Sequence, residues 1–131
     1  LPHTGDMVLL DAVEGWDAHS IHCRTWSHLR NDNPLRRGPE LGTATAIEYG
    51  AQAMALHGGL LTGTSAPAGM VAAARHVRMR MHRLDGVFSA LSVAAHLLAQ
   101  DRSGARYAFE LSSAGGVVAA GKITVVFTRT R

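Results

Sequence analysis

Alternating apolar and polar positions predict two strands near the start of the chain. Residues 7–16 form a mostly apolar run that is typical of a strand. Along residues 20–27, Ile21, Cys23 and Thr25 alternate with His22, Arg24 and Trp26. This period of two is typical of a strand with one buried face, and the turn residues at 15–18 predict that the two strands form a hairpin.

A loop and one long helix follow the hairpin. Residues 29–42 contain Pro34 and Pro39 together with glycines and charges, which predicts a loop. Thr43 or Thr45 is placed to cap a helix that continues to about residue 61. The middle of that helix is rich in alanine, glycine and methionine, so other elements must approach it closely on most sides. A sheet wrapped around the helix would explain this composition.

Four further strand patterns occupy the rest of the chain, at residues 71–84, 90–99, 106–112 and 117–128. Turn residues separate them at 85–86, 101–104 and 114–116. The alanines of residues 90–99 would also suit a helix, but the neighbouring patterns favour a strand. The order of elements predicts an α+β fold, in which an antiparallel sheet of about five to six strands surrounds one long central helix within a single domain over residues 1–131.

Composition narrows the class of protein. The 131 residues suit one core, and a mean hydropathy of +0.04 with no long apolar run argues against a membrane span. Cys23 is the only cysteine, so we expect no internal disulfide. The opening residues show no signal-peptide pattern, and we therefore expect a cytoplasmic location. The net charge of +3 suits an acidic partner. The sequence has no dense run of basic residues interleaved with aromatics, which is the pattern that would indicate nucleic-acid binding.

Glu48 is the strongest candidate for chemistry. It is a single carboxylate within a helical pattern of small and mostly apolar residues. Burying a charge there costs free energy unless a partner pairs with it, so a carboxylate at such a position indicates a function or a partner. Such a group suits general acid or base catalysis. Gln52 lies one turn along the same helix, placed to orient Glu48. The alternative is a carboxylate that is hydrogen-bonded at a subunit interface.

Histidines close to a cysteine raise the question of a metal site. His19, His22 and His28 lie near Cys23 in the sequence. However, His22 and Cys23 should point to opposite faces of a strand, and no second pair of ligands follows at a suitable spacing. We therefore expect no metal centre.

Three short motifs, in order along the chain, resemble a known family. Pro2-His3 precedes an apolar strand that ends Asp11-Ala12-Val13, Asn33-Pro34 precedes the loop, and the helix carries Ile47-Glu48-Tyr49-Gly50-Ala51-Gln52-Ala53-Met54. Together they resemble the hotdog-fold β-hydroxyacyl-acyl-carrier-protein dehydratases of fatty-acid synthesis. The Asn-Pro-Leu-Arg and Ile-Glu-Tyr-x-Ala-Gln runs resemble more closely the dehydratase-like subunits of aryl polyene gene clusters.

The resemblance implies the removal of water from a 3-hydroxyacyl thioester, with Glu48 as the acid and no metal or redox cofactor. The substrate would be carried on the phosphopantetheine of an acyl carrier protein. The family's loop histidine has no counterpart between Asn33 and Gly42. The base would then come from His3 or from a partner subunit, in a homodimer or a heterodimer with another hotdog chain.

Backbone N–H groups at Gly38 and Gly42 would polarise the thioester carbonyl, although ordinary turn geometry explains these glycines equally well. Gln52 would support the substrate site.

Arginines supply a candidate docking surface. Arg78 and Arg80 should share one face of the strand at residues 71–84 with His82, while Val77, Met79 and Met81 take the other face. A solvated charged face is one interpretation. The resemblance favours docking of an acidic carrier protein and its phosphopantetheine phosphate, to which Arg36 and Arg37 would contribute.

Two other functions stay open at this point. The missing loop histidine favours a non-catalytic subunit that supports a dehydratase partner. Hotdog proteins also hydrolyse thioesters with a helix carboxylate and water, so an acyl thioesterase is the third possibility.

Overall fold

The computed structural model describes residues 9–35, 45–63, 69–80 and 84–127. One helix and six strands run through these ranges, with two short 3₁₀ turns at Ser27–Leu29 and Leu84–Gly86. The helix is α1 (Ala46–Thr62). The strands are β1 (Ala12–Trp16), β2 (Ser20–Thr25), β3 (Gly69–Met79), β4 (Leu91–Gln100), β5 (Gly104–Ser113) and β6 (Gly116–Phe127).

The six strands form one antiparallel sheet in the order β1-β2-β4-β5-β6-β3. The helix α1 follows β2 in the chain and packs against one face of the sheet, which we call the inner face. The opposite side is called the outer face. The predicted α+β hotdog arrangement, with up to six strands around one central helix, is confirmed.

The core lies between α1 and the inner face. Along β4 and β5 every second side chain is buried, which is the period of two that the sequence shows. Phe109 is central to this packing. A Cβ atom added at Gly50 of α1 would lie 2.7 Å from Cγ of Phe109, and one added at Gly121 of β6 would lie 3.0 Å from Cε1 of the same ring. The two glycines let the helix and β6 approach the aromatic ring closely.

The first two strands are shorter than the sequence predicts. Leu9 and Leu10 belong to the buried core but precede β1, because side chains rather than a strand ladder bind the backbone of Leu9. At the end of β2, the carboxylate of Asp11 accepts the N–H of Trp26 at 2.7 Å, and the hydroxyl of Thr25 accepts the N–H of Ser27 at 2.9 Å. The ladder stops there and a 3₁₀ turn begins.

The remaining predictions differ from the structure mainly at their ends. The third strand stops at Met79, and Leu84 belongs to a 3₁₀ turn and not to the strand. The alanine-rich segment forms strand β4, as its neighbours indicate. Thr45 occupies the N-cap position of α1 without a side-chain cap hydrogen bond, and the helix ends at Gly63 in the left-handed region with φ 70°.

Within the described ranges, no helix has both the length and the apolar character that crossing a membrane would require.

Candidate functional site

Glu48 is the third residue of α1 and the helix's only residue of the Asp, Glu, Lys or Arg type. Its side chain is half-buried. Successive residues of a helix are rotated by about 100°, so positions 48, 51 and 55 lie opposite the positions that face the sheet. Gly50 and His57 face the sheet, through Phe109 and Tyr107 respectively. Glu48 therefore begins a row on the side of α1 that is turned away from the sheet.

The rest of this row is small. Ala51 and Ala55 follow Glu48 along it, and both are half-buried. Small side chains allow another chain segment to approach a helix backbone closely. A half-buried carboxylic acid beside such a row can donate a proton to a bound group.

Gln52 lies one turn after Glu48 and is buried, with 3% of its surface exposed. Its Oε1 accepts a hydrogen bond from the backbone N–H of Leu9 at 2.9 Å. Gln52 thus attaches the N-terminal segment to the helix. This contact makes it a supporting residue, and its proposed role in substrate binding stays a prediction.

A buried hydrogen-bond network surrounds Tyr49, the residue after Glu48. The Tyr49 hydroxyl lies 2.8 Å from the hydroxyl of Ser27 and accepts a hydrogen bond from Nδ2 of Asn33 at 3.1 Å. The same Nδ2 donates to the carbonyl of Ser27 at 2.8 Å. The network joins α1 to the segment that leads into the loop before it. The position of Glu48 relative to that segment is therefore set by buried hydrogen bonds.

Burial raises the pKa of Tyr49, and its hydrogen bonds with Ser27 and Asn33 oppose that rise. The phenol is consequently neutral at physiological pH. Because its oxygen already accepts from Asn33, its proton is available for the oxygen of Ser27. Tyr49 acts as a fixed hydrogen-bonding group and orders the start of the helix.

Asp11 extends this network to the surface. Its carboxylate accepts hydrogen bonds from the Trp26 N–H and pairs with the guanidinium of Arg30 at 2.7 Å. The Thr25 hydroxyl lies 3.0 Å from the same carboxylate. The segment before β1, the end of β2 and the following 3₁₀ turn are thereby held together next to Tyr49.

Two histidines are buried within the described ranges, His28 and His57, and both have structural contacts. Nε2 of His28 lies 3.0 Å from the carbonyl of Val87 and 2.9 Å from that of Ser89, so it holds the loop before β4. His57 bonds through Nε2 to the carbonyl of Asp17 at 2.8 Å and through Nδ1 to the Tyr107 hydroxyl at 2.6 Å. Since a carbonyl only accepts, Nε2 of His57 carries the proton and Nδ1 accepts from Tyr107.

As predicted, His22 and Cys23 lie on opposite faces of β2, the histidine exposed and the cysteine buried. Among the described residues, no group of three or more His, Cys, Asp or Glu side chains is placed to hold a metal ion.

The two arginines of the candidate docking surface lie near the end of β3. Arg78 is exposed on the outer face, opposite Ala120 of β6. Arg80 follows the strand, and its guanidinium lies 3.5 Å from the carbonyl of Val117. Val77 faces inward, towards Gly121 and Phe109. The predicted alternation of these side chains is therefore correct for Val77 and Arg78.

Several predicted site residues lie outside the described residues. These are His3, Arg36, Arg37, Gly38 and Gly42. Their roles remain predictions.

Local sequence pattern indicates no partner for the side chains of Ser27, Asn33 or Tyr49. The one hint in the sequence is that these three polar groups stand next to apolar positions, which the fold buries together with them. Tyr49 lies 16 residues from Asn33 and 22 residues from Ser27 in the chain, and a local sequence pattern does not reveal contacts over such distances.

Comparison with solved structures supports the hotdog architecture. The dehydratase heterocomplex ApeI:P from Xenorhabdus doucetiae matches with a TM-score of 0.86 and 26% identity, over 99% of this chain and 89% of that chain. AziG of S. sahachiroi matches at 0.67 and 14% identity, covering 92% of both chains. A thioesterase enzyme of Staphylococcus aureus matches at 0.67 and 10% identity, over 90% of this chain and 93% of that chain. The last two likenesses concern the fold alone.

A search of curated proteins returned no match. Comparison with protein-family models, in contrast, gives a match to the ApeP-like family over residues 1–130. Since this match spans nearly the whole chain, the protein belongs to the ApeP-like family, whose model is described as ApeP dehydratase.

Proposed function

We propose that this protein is a 3-hydroxyacyl-carrier-protein dehydratase subunit that acts together with a second hotdog chain. The observation that carries the proposal is the placement of Glu48, a single half-buried carboxylate at the head of a small-residue row on α1. Membership of the ApeP-like dehydratase family supports the same reaction class.

The reaction is the removal of water from C2 and C3 of a 3-hydroxyacyl thioester. A base takes the C2 proton, and the electron pair of that C–H bond forms the C2–C3 double bond. The C3–O bond breaks as the carboxylic acid of Glu48 donates its proton to the departing hydroxyl, which leaves as water. The product is a 2-enoyl thioester. The thioester carbonyl acidifies the C2 proton, so the chemistry requires no metal or redox cofactor.

The base would be His3 or a group of the partner chain, because residues 34–42 contain no histidine. The contact between Gln52 and Leu9 supports the first choice, since it fixes the N-terminal segment one helical turn from Glu48. His3 lies six positions before Leu9, and a chain of that length can span about 20 Å.

The acyl group would arrive on the phosphopantetheine of an acyl carrier protein. Arg78 and Arg80, with Arg36 and Arg37 from the loop, would pair with the acidic partner and the phosphate. Gly38 and Gly42 would supply backbone N–H groups to the thioester carbonyl, as an oxyanion hole does.

A heteromeric assembly is supported by the similarity to the ApeI:P heterocomplex, which extends over 99% of this chain. The open row of Glu48, Ala51 and Ala55 would permit close contact with a partner on the side of α1 away from the sheet. In this arrangement Glu48 would be completed by groups from the second chain.

The second candidate function is a supporting subunit without catalysis of its own. It is favoured by the absence of histidine from residues 34–42. In that case Glu48 would be a structural carboxylate at the contact between the two chains.

The test is hydration of a short 2-enoyl thioester on a carrier protein, followed by mass spectrometry. It is run with the chain alone and after mixing with the second hotdog chain of its complex. The variants are Glu48→Gln and His3→Ala. Glu14→Gln and His19→Ala are the matched controls, because both residues are exposed in the β1–β2 hairpin.

The proposal requires turnover by the mixture that falls by at least about 100-fold in Glu48→Gln, which is the range of general acid catalysis, with both controls active. A parallel loss in His3→Ala identifies His3 as the base. Full activity of the Glu48→Gln mixture contradicts the proposal and favours the supporting subunit. Release of a free acid in place of the hydrated thioester identifies a thioesterase.

A further inference from the structure

A depression of about 460 Å³ lies on the outer face of the sheet. It crosses the middle of the sheet, and residues from β2, β3, β4, β5 and β6 line it. Its volume falls within the range of small-molecule sites in proteins. It lies on the opposite side of the sheet from α1 and Glu48, so the proposed dehydration does not take place in it, and it shares only Arg78 with the proposed carrier-protein docking surface. We call it the outer depression.

Its floor consists of small side chains. Ala94, Ala108 and Ala120 take outward positions on three neighbouring strands, where Ala108 lies diagonal to the other two and Glu110 lies between Ala94 and Ala120. Alanine is depleted in strands, where outward positions more often carry β-branched or long polar side chains. The three alanines form the low part of the depression, and longer side chains lie beside and between them.

The strand pairing fixes where those longer side chains lie. His96 and Lys122 flank Ala108 on either side, because both residues are its direct cross-strand partners. Since neighbouring strands are about 4.8 Å apart, their backbones are about 10 Å apart across the floor. His22 and Glu110 flank Ala94 in the same manner on the next row.

The edge strand β3 completes the rim. Arg78 pairs with Ala120 at the end of the second row. His76 reaches the depression from the irregularity in pairing between Arg75 and Arg78, where its φ of 54° lies in the left-handed region. Bulges of this kind redirect a side chain, and here the redirected side chain is a third imidazole at the same hollow.

The charges at the rim favour an anion. Arg78 and Lys122 are permanent cations, whereas Glu110 is the one carboxylate among the lining residues. The three histidines add N–H donors. Donors on both sides of a hollow about 10 Å wide suit a ligand with several acceptor oxygens, which phosphoryl groups provide.

The shape and polarity favour a small molecule over a protein. Interface cores are enriched in aromatic side chains and depleted in charge. The aromatic lining residue other than histidine is Phe109, which is buried on the inner face with 3% exposed. The outer depression thus offers polar donors around a compact hollow and lacks an apolar anchor.

We propose that the outer depression binds a small phosphate-bearing molecule, with His96 and Lys122 on either side of Ala108 and with His22 and Arg78 at the two ends of the next row. Glu110 lies between His22 and Arg78 along that row.

The test is isothermal titration calorimetry of the full chain with pyrophosphate, ADP and, as the uncharged control, adenosine. Amide chemical shifts locate the binding. The decisive pair of variants is Ala108→Glu and Ala108→Gln, which fill the floor to the same extent but differ in charge. Lys122→Ala removes one rim cation, and Arg102→Ala is its control because Arg102 is exposed in the β4–β5 turn and does not line the depression.

We expect pyrophosphate and ADP to bind and adenosine not to bind, with shifts on β4, β5 and β6. Lys122→Ala should weaken ADP binding about five- to tenfold, and Ala108→Glu should weaken it further than Ala108→Gln. If Ala108→Glu does not fold, Lys122→Glu applies the same charge test at an exposed position. The proposal is overturned by no ADP binding at millimolar concentrations, by shifts elsewhere, or by equal affinities in the glutamate and glutamine variants.

Discussion

Oε1 of Gln52 accepts a hydrogen bond from the backbone N–H of Leu9 at 2.9 Å. Both residues are buried, so water does not replace this bond when it is lost. It joins the N-terminal segment to α1 across 43 positions of sequence. Gln52, one helical turn after Glu48, therefore holds the backbone at Leu9, which lies before the first strand and is not part of the sheet.

We predict that Gln52→Leu lowers the free energy of unfolding by about 1–3 kcal/mol, because the Leu9 N–H is left buried without its acceptor. Urea unfolding measures the change. Gln100→Leu is the matched control, since Gln100 is exposed at the end of β4, and it should change stability by less than about 0.5 kcal/mol. Equal stabilities of the two variants would contradict the importance of the Gln52 contact.

The hydroxyls of Tyr49 and Ser27 should be energetically coupled, because they lie 2.8 Å apart in a buried network. We expect Tyr49→Phe and Ser27→Ala each to destabilise the protein, and the double variant to lose about 0.5–1.5 kcal/mol less than the sum of the two losses. Urea unfolding of the four proteins gives this coupling energy. Strict additivity would show that the two hydroxyls do not interact.

Gly50 should not tolerate a methyl group. An added Cβ would lie 2.7 Å from Cγ and 3.0 Å from Cβ of Phe109, near the root of a side chain packed in the core. Overpacking of this kind costs about 1–3 kcal/mol, which exceeds or offsets the gain of about 1 kcal/mol from replacing glycine by alanine in a helix. We therefore expect Gly50→Ala to lower the thermal unfolding temperature.

The control for this substitution is Gly15→Ala. Nothing lies within 4 Å of a Cβ added at Gly15, so that variant should remain close to the parent protein. Phe109→Leu combined with Gly50→Ala should cost less than the sum of the two single changes, because the smaller side chain relieves the contact. A Gly50→Ala variant more stable than the parent would show that Phe109 adjusts freely.

Local sequence patterns are sufficient to predict the helix and the strands, but they do not predict the residues at which these elements end. The alternation in β2 and the strand character of β4 are properties of neighbouring residues, and the sequence shows both. The early end of β2 depends on Asp11, which lies 15 residues from its partner Trp26. Pairing over such a distance arises only when the chain is folded.

The candidate site shows the same division. Glu48 could be singled out from the sequence because one carboxylate interrupts an apolar pattern. The attachment of Tyr49 to Ser27 and Asn33 could not be predicted from the sequence. Serine and asparagine side chains are mostly exposed in proteins, so their presence does not by itself indicate a buried network. The outer depression could not be predicted because it depends on which side chains the strand register places next to Ala94, Ala108 and Ala120.

Burial raises the pKa of the Cys23 thiol to about 11, and the nearby charge of Glu14 acts in the same direction. The folded protein therefore keeps this proton at a pH where the unfolded chain, with a thiol pKa near 9.0, has released it. The sign follows from linkage. The stability associated with the protonated thiol is complete below pH 9.0 and is lost as the pH rises towards 11.

We accordingly predict that Cys23 reacts slowly with iodoacetamide at pH 8. The thiolate is the form that reacts, and at this pH the raised pKa keeps the thiol protonated. Cys23 is the only cysteine, so the mass of the intact protein reports its modification without ambiguity. The same reaction in urea provides the unfolded reference and should be much faster. In Cys23→Ala the fall in unfolding free energy above pH 9 should be shallower than in the parent protein. Equal alkylation rates in the folded and unfolded chains would show that the thiol is not protected by the sheet.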